Sequence, residues 1–311
     1  MNTPLSMNGA VPLTHLGAIG ARGADAATFL QSQLTNDVAA LGTSAVRLAG
    51  FCSAKGRLQA SFVVSKAAQD EFTLVCAASV LPATLKRLSM FVLRAQCRLR
   101  DATAELGLWG LVGDAARALV GESAVWGNHD PAGASVIRLP DVDGLPRCMV
   151  LGPAEELAAT WPPLSLDHWR WLEVRSGIPM IEAATAEQFV PQMLNYEIVG
   201  GVDFQKGCYP GQEIVARSQY RGTIKRRMFL FDIGAVAMVG QEVFHSADTS
   251  QPAGMVVNAA PHPGDSGSSA LVEVKLSALD HGTLHLGAAD GAVLRLDALP
   301  YAVAPDAAQP A

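Results

Sequence analysis

A chain of 311 residues that is 50% apolar and 17% charged holds material for about two packed domains and is too hydrophobic for an intrinsically disordered protein. Its net charge of −6 excludes a uniformly basic nucleic-acid binder, and no run approaches the roughly 18 uncharged apolar residues that a membrane helix needs. Met1 to Pro12 lack the basic flank and apolar core of a signal peptide, so a cytoplasmic protein with no membrane partner is expected.

Residues 24–41 read as a helix: Asp25 can cap it, and Phe29, Leu30, Gln33, Leu34, Val38 and Leu41 recur near one face. A hairpin follows, with arms over 46–51 and 58–64 and Ala54-Lys55-Gly56 as its turn. The pattern predicts a strand over 71–76 and a helix over 79–95, with Leu81, Leu85, Leu88 and Val92 on its apolar stripe. Strands over 97–100 and 106–112, a short helix over 114–120, and strands over 136–139 and 147–151 come next. A helix over 165–176 is capped by Ser165 and followed by Gly177. Helices interleaved with hairpins indicate an α+β domain and not a doubly wound parallel sheet.

From Arg227 onward helix signals vanish. Short strands over 228–233, 242–245, 254–258, 270–276, 284–286 and 293–296, with Asp290-Gly291 as a hairpin turn, predict a small antiparallel barrel or sandwich. The expected division is 1–230 for the α+β region, 231–303 for the barrel and 304–311 for a flexible tail.

Five cysteines include no Cys-x-x-Cys pair, and the seven histidines are scattered, so neither a disulfide framework nor a metal site is expected. Cys52, Cys76, Cys97 and Cys148 lie in apolar, strand-like surroundings and read as small buried hydrophobes. Cys208 differs. It stands in Lys206-Gly207-Cys208-Tyr209-Pro210-Gly211-Gln212-Glu213, which packs two glycines, a proline, a cation, a thiol and a carboxylate into one segment. Gly207 permits positive φ or close backbone approach, and Pro210-Gly211 is a turn dipeptide. A thiol on such a loop beside Lys206 is expected to have a lowered pKa, making it a nucleophile or soft metal ligand; the alternative is a structural turn with an incidental cysteine.

Arg217, Arg221, Lys225, Arg226 and Arg227 follow, with Tyr220 and Phe229 interleaved; from Lys206 to Arg227 six cations face one carboxylate, Glu213. This patch could hold the carboxylates of a small anion, receive a phosphate backbone, or simply protect a strand edge. In Trp169-Arg170-Trp171 the two indoles cannot share a helix face, so one is expected in the core and the other could line a pocket that takes a planar heterocycle.

Lys206 to Glu213 resembles the signature of the YgfZ family of folate-binding proteins, relatives of the aminomethyltransferase (T-protein) of the glycine cleavage system and of a mitochondrial iron–sulphur assembly factor. Further segments resemble that family: Gly23-Ala24-Asp25 and Phe29-Leu30-Gln31 in the first helix, Arg175-Ser176-Gly177-Ile178-Pro179, Phe189-Val190-Pro191-Gln192 with Asn195, and Gly201-Val202-Asp203-Phe204. Tyr220-Arg221-Gly222, Lys225-Arg226 and Leu299-Pro300-Tyr301 extend the resemblance, which spans residues 12–303.

The resemblance implies ferredoxin-like subdomains around a central folate pocket, followed by a small β-barrel. It implies tetrahydrofolate as cofactor and, as activity, assistance to the assembly or repair of iron–sulphur enzymes, with client proteins or assembly machinery as partners and a link to tRNA modification. Cys208 would be the essential thiol at the rim of the cavity. Trp169 would pack on the folate, with Gln192, Asn195 and Arg221 as polar contacts. A second pocket tryptophan expected near residue 16 is replaced by Leu16, and residues 57–64 lack the carboxylate that the transferase branch carries there. An aminomethyltransferase-like one-carbon enzyme is the first alternative. The second is an RNA-binding factor touching tRNA through Arg217, Arg221, Lys225, Arg226 and Arg227.

Overall fold

A computed structural model describes residues 7–130, 133–221 and 224–303; the tail expected at 304–311, and Gly222, lie outside the described residues. In chain order the first region contains β1 (Gly9–Pro12), β2 (Leu16–Arg22), α1 (Ala26–Gln33), β3 (Val46–Cys52), β4 (Leu58–Ala68), β5 (Glu71–Ala77), α2 (Leu81–Val92), β6 (Arg98–Asp101), β7 (Leu108–Val112) and α3 (Asp114–Val120). It continues with β8 (Asn128–His129), β9 (Ser135–Val142), β10 (Leu145–Leu151), α4 (Glu155–Ala158), α5 (Leu166–Arg175), a 3-10 turn at Pro191–Leu194 and α6 (Gln212–Tyr220). The last part contains β11 (Arg226–Ile233), β12 (Glu242–His245), β13 (Asp248–Pro261), β14 (Ser268–Lys275), β15 (Leu284–Leu286) and β16 (Val293–Asp297).

The fold is α+β. Two five-stranded antiparallel sheets, ordered β3-β4-β5-β2-β6 and β1-β7-β10-β9-β8, are followed by a closed antiparallel barrel ordered β11-β14-β13-β12-β15-β16. One core runs through all three: Leu48 and Leu58 of the first sheet, Met149 of the second, Leu172 of α5 and Leu230 of β11 belong to the same buried cluster. No helix among the described residues is long and apolar enough to cross a membrane.

Several elements depart from the sequence expectation for identifiable reasons. The helix expected over 24–41 stops at Gln33, because Thr35 is taken up elsewhere. The Thr35 amide donates to Gly50 O (2.9 Å), its hydroxyl accepts from the Gly50 amide (2.7 Å) and donates to Gly201 O (2.6 Å). Asp25 does not cap its own helix; its carboxylate accepts from the Gln96 amide at 2.7 Å. The strands β1 and β2 were not foreseen, since Gly, Ala and Pro dominate them and supply little of the branched bulk that marks a strand. Ser165 does cap α5, accepting from the Asp167 amide, and Gly177 turns left-handed after it (φ +68°). The division expected at 230 falls inside β11, whose Arg226 already pairs with Lys275.

The barrel is pinned to the first region by buried polar groups. The Trp171 indole N–H donates to Ser269 Oγ at 3.1 Å. Arg227 of β11 donates to Gln192 O (2.9 Å) and to Glu197, and Asn195 donates to Met228 O (2.7 Å). Both partners of the Arg227–Glu197 pair are nearly sealed, at 10% and 9% side-chain exposure. Removing one member of such a pair leaves an uncompensated buried charge. Arg227→Met is therefore expected to lower unfolding free energy by about 3 kcal/mol, measured by urea denaturation; a change below about 1 kcal/mol would show that this pair does not pin the barrel.

Candidate functional site

The segment from Lys206 to Tyr209 alternates inward and outward. Lys206 and Tyr209 are buried at 8% and 7% exposure, while Gly207 and Cys208 face solvent. The Lys206 ammonium donates to Leu34 O (2.7 Å) and to Gln31 O, carbonyls at the C-terminal end of α1, and lies 5.1 Å from the centre of the Tyr209 ring. Those carbonyls have no helical partner and carry the negative end of the helix dipole, so a cation satisfies them doubly. Desolvation pushes the Lys206 ammonium down to about 8, against the opposing influence of Asp37, Asp203 and Cys208. The charge expected to serve the thiol is thus committed mainly to the end of a helix.

Gly207 keeps an ordinary φ and has open space around it; the glycine the loop requires is Gly211. At φ +80°, a Cβ on Gly211 would lie 2.3 Å from Ser53 O and 2.7 Å from Gly56 Cα. The turn between β3 and β4 is therefore seated directly on the start of α6. Cys208 lies in the segment between these two anchors, Lys206 on α1 and Gly211 on the turn.

Among the five cysteines only Cys208 is exposed. Burial pushes the thiols of Cys52, Cys76 and Cys148 up to about 12, and that of the half-buried Cys97 upward as well. Among the described residues no group of three or more His, Cys, Asp or Glu is arranged to hold a metal ion.

The basic run divides. Arg226 is bound in bidentate fashion to the buried Glu273, with Nη2–Oε2 at 2.9 Å, and Arg227 is internal. Arg217, Arg221 and Lys225 remain exposed, and Tyr220 packs edge-on against Phe204 with ring centres 5.8 Å apart.

A separate cavity, with an empty volume of about 850 Å³ counting its open mouth, lies between the two sheets, α5 and the barrel strand β13. Trp169 forms part of its wall, and Leu16 stands in the same wall. Trp169 is only 1% exposed. Its N–H donates to Glu173 Oε1 (2.7 Å), and its ring sits where Gly110 lacks a Cβ (2.5 Å from the ideal position). The indole therefore closes the wall and presents almost no free face for stacking. Glu173 Oε2 is 2.9 Å from His15 Nε2, so this carboxylate is held from both sides.

Three expected polar contacts are not at the cavity. Gln192 and Asn195 are fully buried and spend their amides on the backbone of Val215 and Met228, and Arg221 lies on the surface. Cys208 does not line the cavity either, so the expected placement at its rim is corrected: Lys206 and Gly211 anchor the loop to α1 and the β3–β4 turn instead.

Sequence reasoning missed the cavity's own polar groups. Arg147 projects from β10 and is 2% exposed; its Nε and Nη2 donate to Pro140 O at 3.3 and 3.2 Å. Desolvation pushes its guanidinium down to about 10, while Glu173 and Asp141 act in the other direction. Among the described residues no carboxylate lies within ion-pair distance of it. Tyr196 Oη is buried against the backbone of Phe62 without a hydrogen bond of good geometry. The signal for Arg147 was available: a lone cation inside the apolar strand Leu145–Leu151.

Residues 7–132 match the family described as GCVT N-terminal domain. The tRNA-modifying protein YgfZ of Colwellia psychrerythraea is 32% identical over 230 residues, covering 70% of each chain. The protein of the same name from Klebsiella pneumoniae is 28% identical over 302 residues, 90% of this chain and 89% of that one. The crystal structure of glycine cleavage system aminomethyltransferase T from Bartonella henselae shares the fold, with a TM-score of 0.75 at 18% identity over 94% of this chain and 85% of that one.

The contrast among the thiols is directly measurable. In the native protein a maleimide reagent at neutral pH is expected to label Cys208 rapidly, Cys97 slowly and the other three only after unfolding; peptide mapping that finds Cys208 as slow as Cys148 would contradict the loop geometry.

Proposed function

The chain belongs to the YgfZ family, and on that premise we propose that it is a tetrahydrofolate-binding accessory protein for the assembly or repair of iron–sulphur enzymes, tRNA-modifying enzymes among them, acting in the cytoplasm. The observation that carries this reading is the presentation of Cys208: the one exposed thiol, on a loop anchored by a buried lysine and a left-handed glycine. A thiol that faces solvent, away from the cavity lining, is accessible to a macromolecular partner. After losing its proton to solvent, Sγ would offer a lone pair to an iron held jointly with ligands of a client, the iron being cargo.

The cavity fits a flat, polar heterocycle. Its walls are mainly apolar; Tyr196 Oη is buried there without a hydrogen-bond partner, and the Arg147 guanidinium donates only to Pro140 O among the described residues. These two would hold the folate ring; tetrahydrofolate, when bound, would supply a carrier for one-carbon units. The transferase alternative is weakened by β4, which contributes Ser61, Phe62 and Val63 to the cavity and no acid. Glu173 and Glu182 stand in the wall, but each is already engaged, by Trp169 and His15 and by Arg170 and Asn258.

Contact with tRNA is a second reading, supported by the exposed Arg217, Arg221 and Lys225 near the loop and by the tRNA-modifying relatives. Three phosphate contacts predict a roughly 40-fold loss of tRNA affinity between about 50 and 200 mM salt. Filter binding that finds no salt dependence would remove it.

Cys208→Ala is the decisive variant for the main reading. It is expected to fold normally and to bind tetrahydrofolate with unchanged affinity by tryptophan fluorescence. It should fail to sustain iron–sulphur enzyme activity in cells lacking the wild-type protein, whereas full rescue would take the thiol out of the function.

A further inference from the structure

Arg147 poses a physical problem that the fold itself solves only in part. It is 2% exposed and lines the central cavity; its guanidinium carbon lies 5.6 Å from the centre of the Trp169 ring, and one backbone carbonyl, Pro140 O, is its sole hydrogen-bond acceptor among the described residues. Glu173 shares the cavity wall and is the obvious counter-charge, yet its two oxygens are occupied by the Trp169 N–H and His15. It acts on Arg147 through the field and not through a bond. A buried guanidinium has five donors and strong penalties for leaving them unused, so the cavity is built for a ligand that brings an acceptor oxygen to this point.

We propose that Arg147 is a specificity-determining residue that recognises the 4-oxo group of a reduced pterin, which enters the cavity ring first. This rests on the folate reading above. Two observations favour the ring over the glutamyl tail at this depth. A tail would bring two carboxylates beside one guanidinium and the fixed negative charge of Glu173, and each would have to be desolvated; a ring carbonyl is neutral. A better place for the tail exists nearer solvent: Arg170 also lines the cavity but retains 32% side-chain exposure, and its partner Glu182 is 3.9 Å away, a loose pairing that a ligand carboxylate can displace.

The test uses the full-length protein, tetrahydrofolate, its 4-amino counterpart tetrahydroaminopterin, and tetrahydropteroate, which lacks the glutamyl tail. The first two differ in the C4 substituent, where an acceptor is replaced by a donor, and with it N3 changes from donor to acceptor, so the loss of discrimination in the Arg147 variant assigns the C4 share. One charge-assisted hydrogen bond corresponds to about a tenfold to hundredfold preference. Wild-type protein is expected to prefer the 4-oxo ligand by that factor, to bind tetrahydropteroate within a few fold of tetrahydrofolate, and to lose its discrimination in Arg147→Met.

Equal wild-type binding of the 4-oxo and 4-amino ligands would overturn the proposal. So would undiminished tetrahydrofolate affinity in Arg147→Met, or loss of binding on removing the glutamyl tail. The wild-type ratio needs no variant, so the proposal stays testable if Arg147→Met fails to fold. Failure of wild-type protein to bind any of the three ligands would overturn the folate reading and this inference together, whereas binding without discrimination would overturn only the inference.

Discussion

A buried ammonium on the end of a helix organises the functional loop. With Lys206 committed to the carbonyls of Gln31 and Leu34, the residues that flank the Gly207-Cys208 pair, Lys206 and Tyr209, point into the protein. The pair Gly207-Cys208 is then turned outward. The hydrogen bonds offset the desolvation cost of the lysine only because both carbonyls lie at a helix terminus, where no backbone amide competes for them. Glycine at 211 completes the arrangement, since any side chain there would collide with the β3–β4 turn. The reactive group is thus positioned by its neighbours' burial, and it makes little contact itself.

The central cavity follows a different logic. Its charged groups are held apart: Glu173 by Trp169 and His15, Arg147 by Pro140. A closed Arg147–Glu173 salt bridge would be self-sufficient and would leave the cavity with no polarity to offer. Keeping the two in the same wall but unbonded leaves the Arg147 donors for a ligand. Preorganised dipoles in a water-poor space are the usual basis of small-molecule selectivity. Trp169 contributes by holding the Glu173 carboxylate away from Arg147, although the family resemblance implied a stacking surface.

Much of the fold was legible because its helices and late strands obey simple periodicities. The α5 cap at Ser165, the left-handed Gly177 and the short strands after Arg227 were read directly. The strand β2 escaped notice, since Leu16–Arg22 is rich in glycine and alanine and its burial depends on neighbours distant in sequence. The loop around Cys208 was legible from its composition, yet the wrong glycine was assigned the strain. Gln192 and Asn195 were misjudged for a more general reason. A buried amide bonded to a backbone carbonyl and one bonded to a ligand look the same in sequence, and only the register of Val215 and Met228 decides between them. Arg147 was overlooked because the strand around it reads as apolar core.

The lysine clasp also joins parts of the chain made at very different times. Lys206 reaches back 172 residues to Leu34, and Gly211 meets the turn at Ser53 from a similar distance. During synthesis the first sheet can form long before its partner loop leaves the ribosome, and contacts of such separation close late. Display of the sulphur is therefore a property of the finished molecule, and truncated or half-folded copies would lack the scaffold that turns it outward.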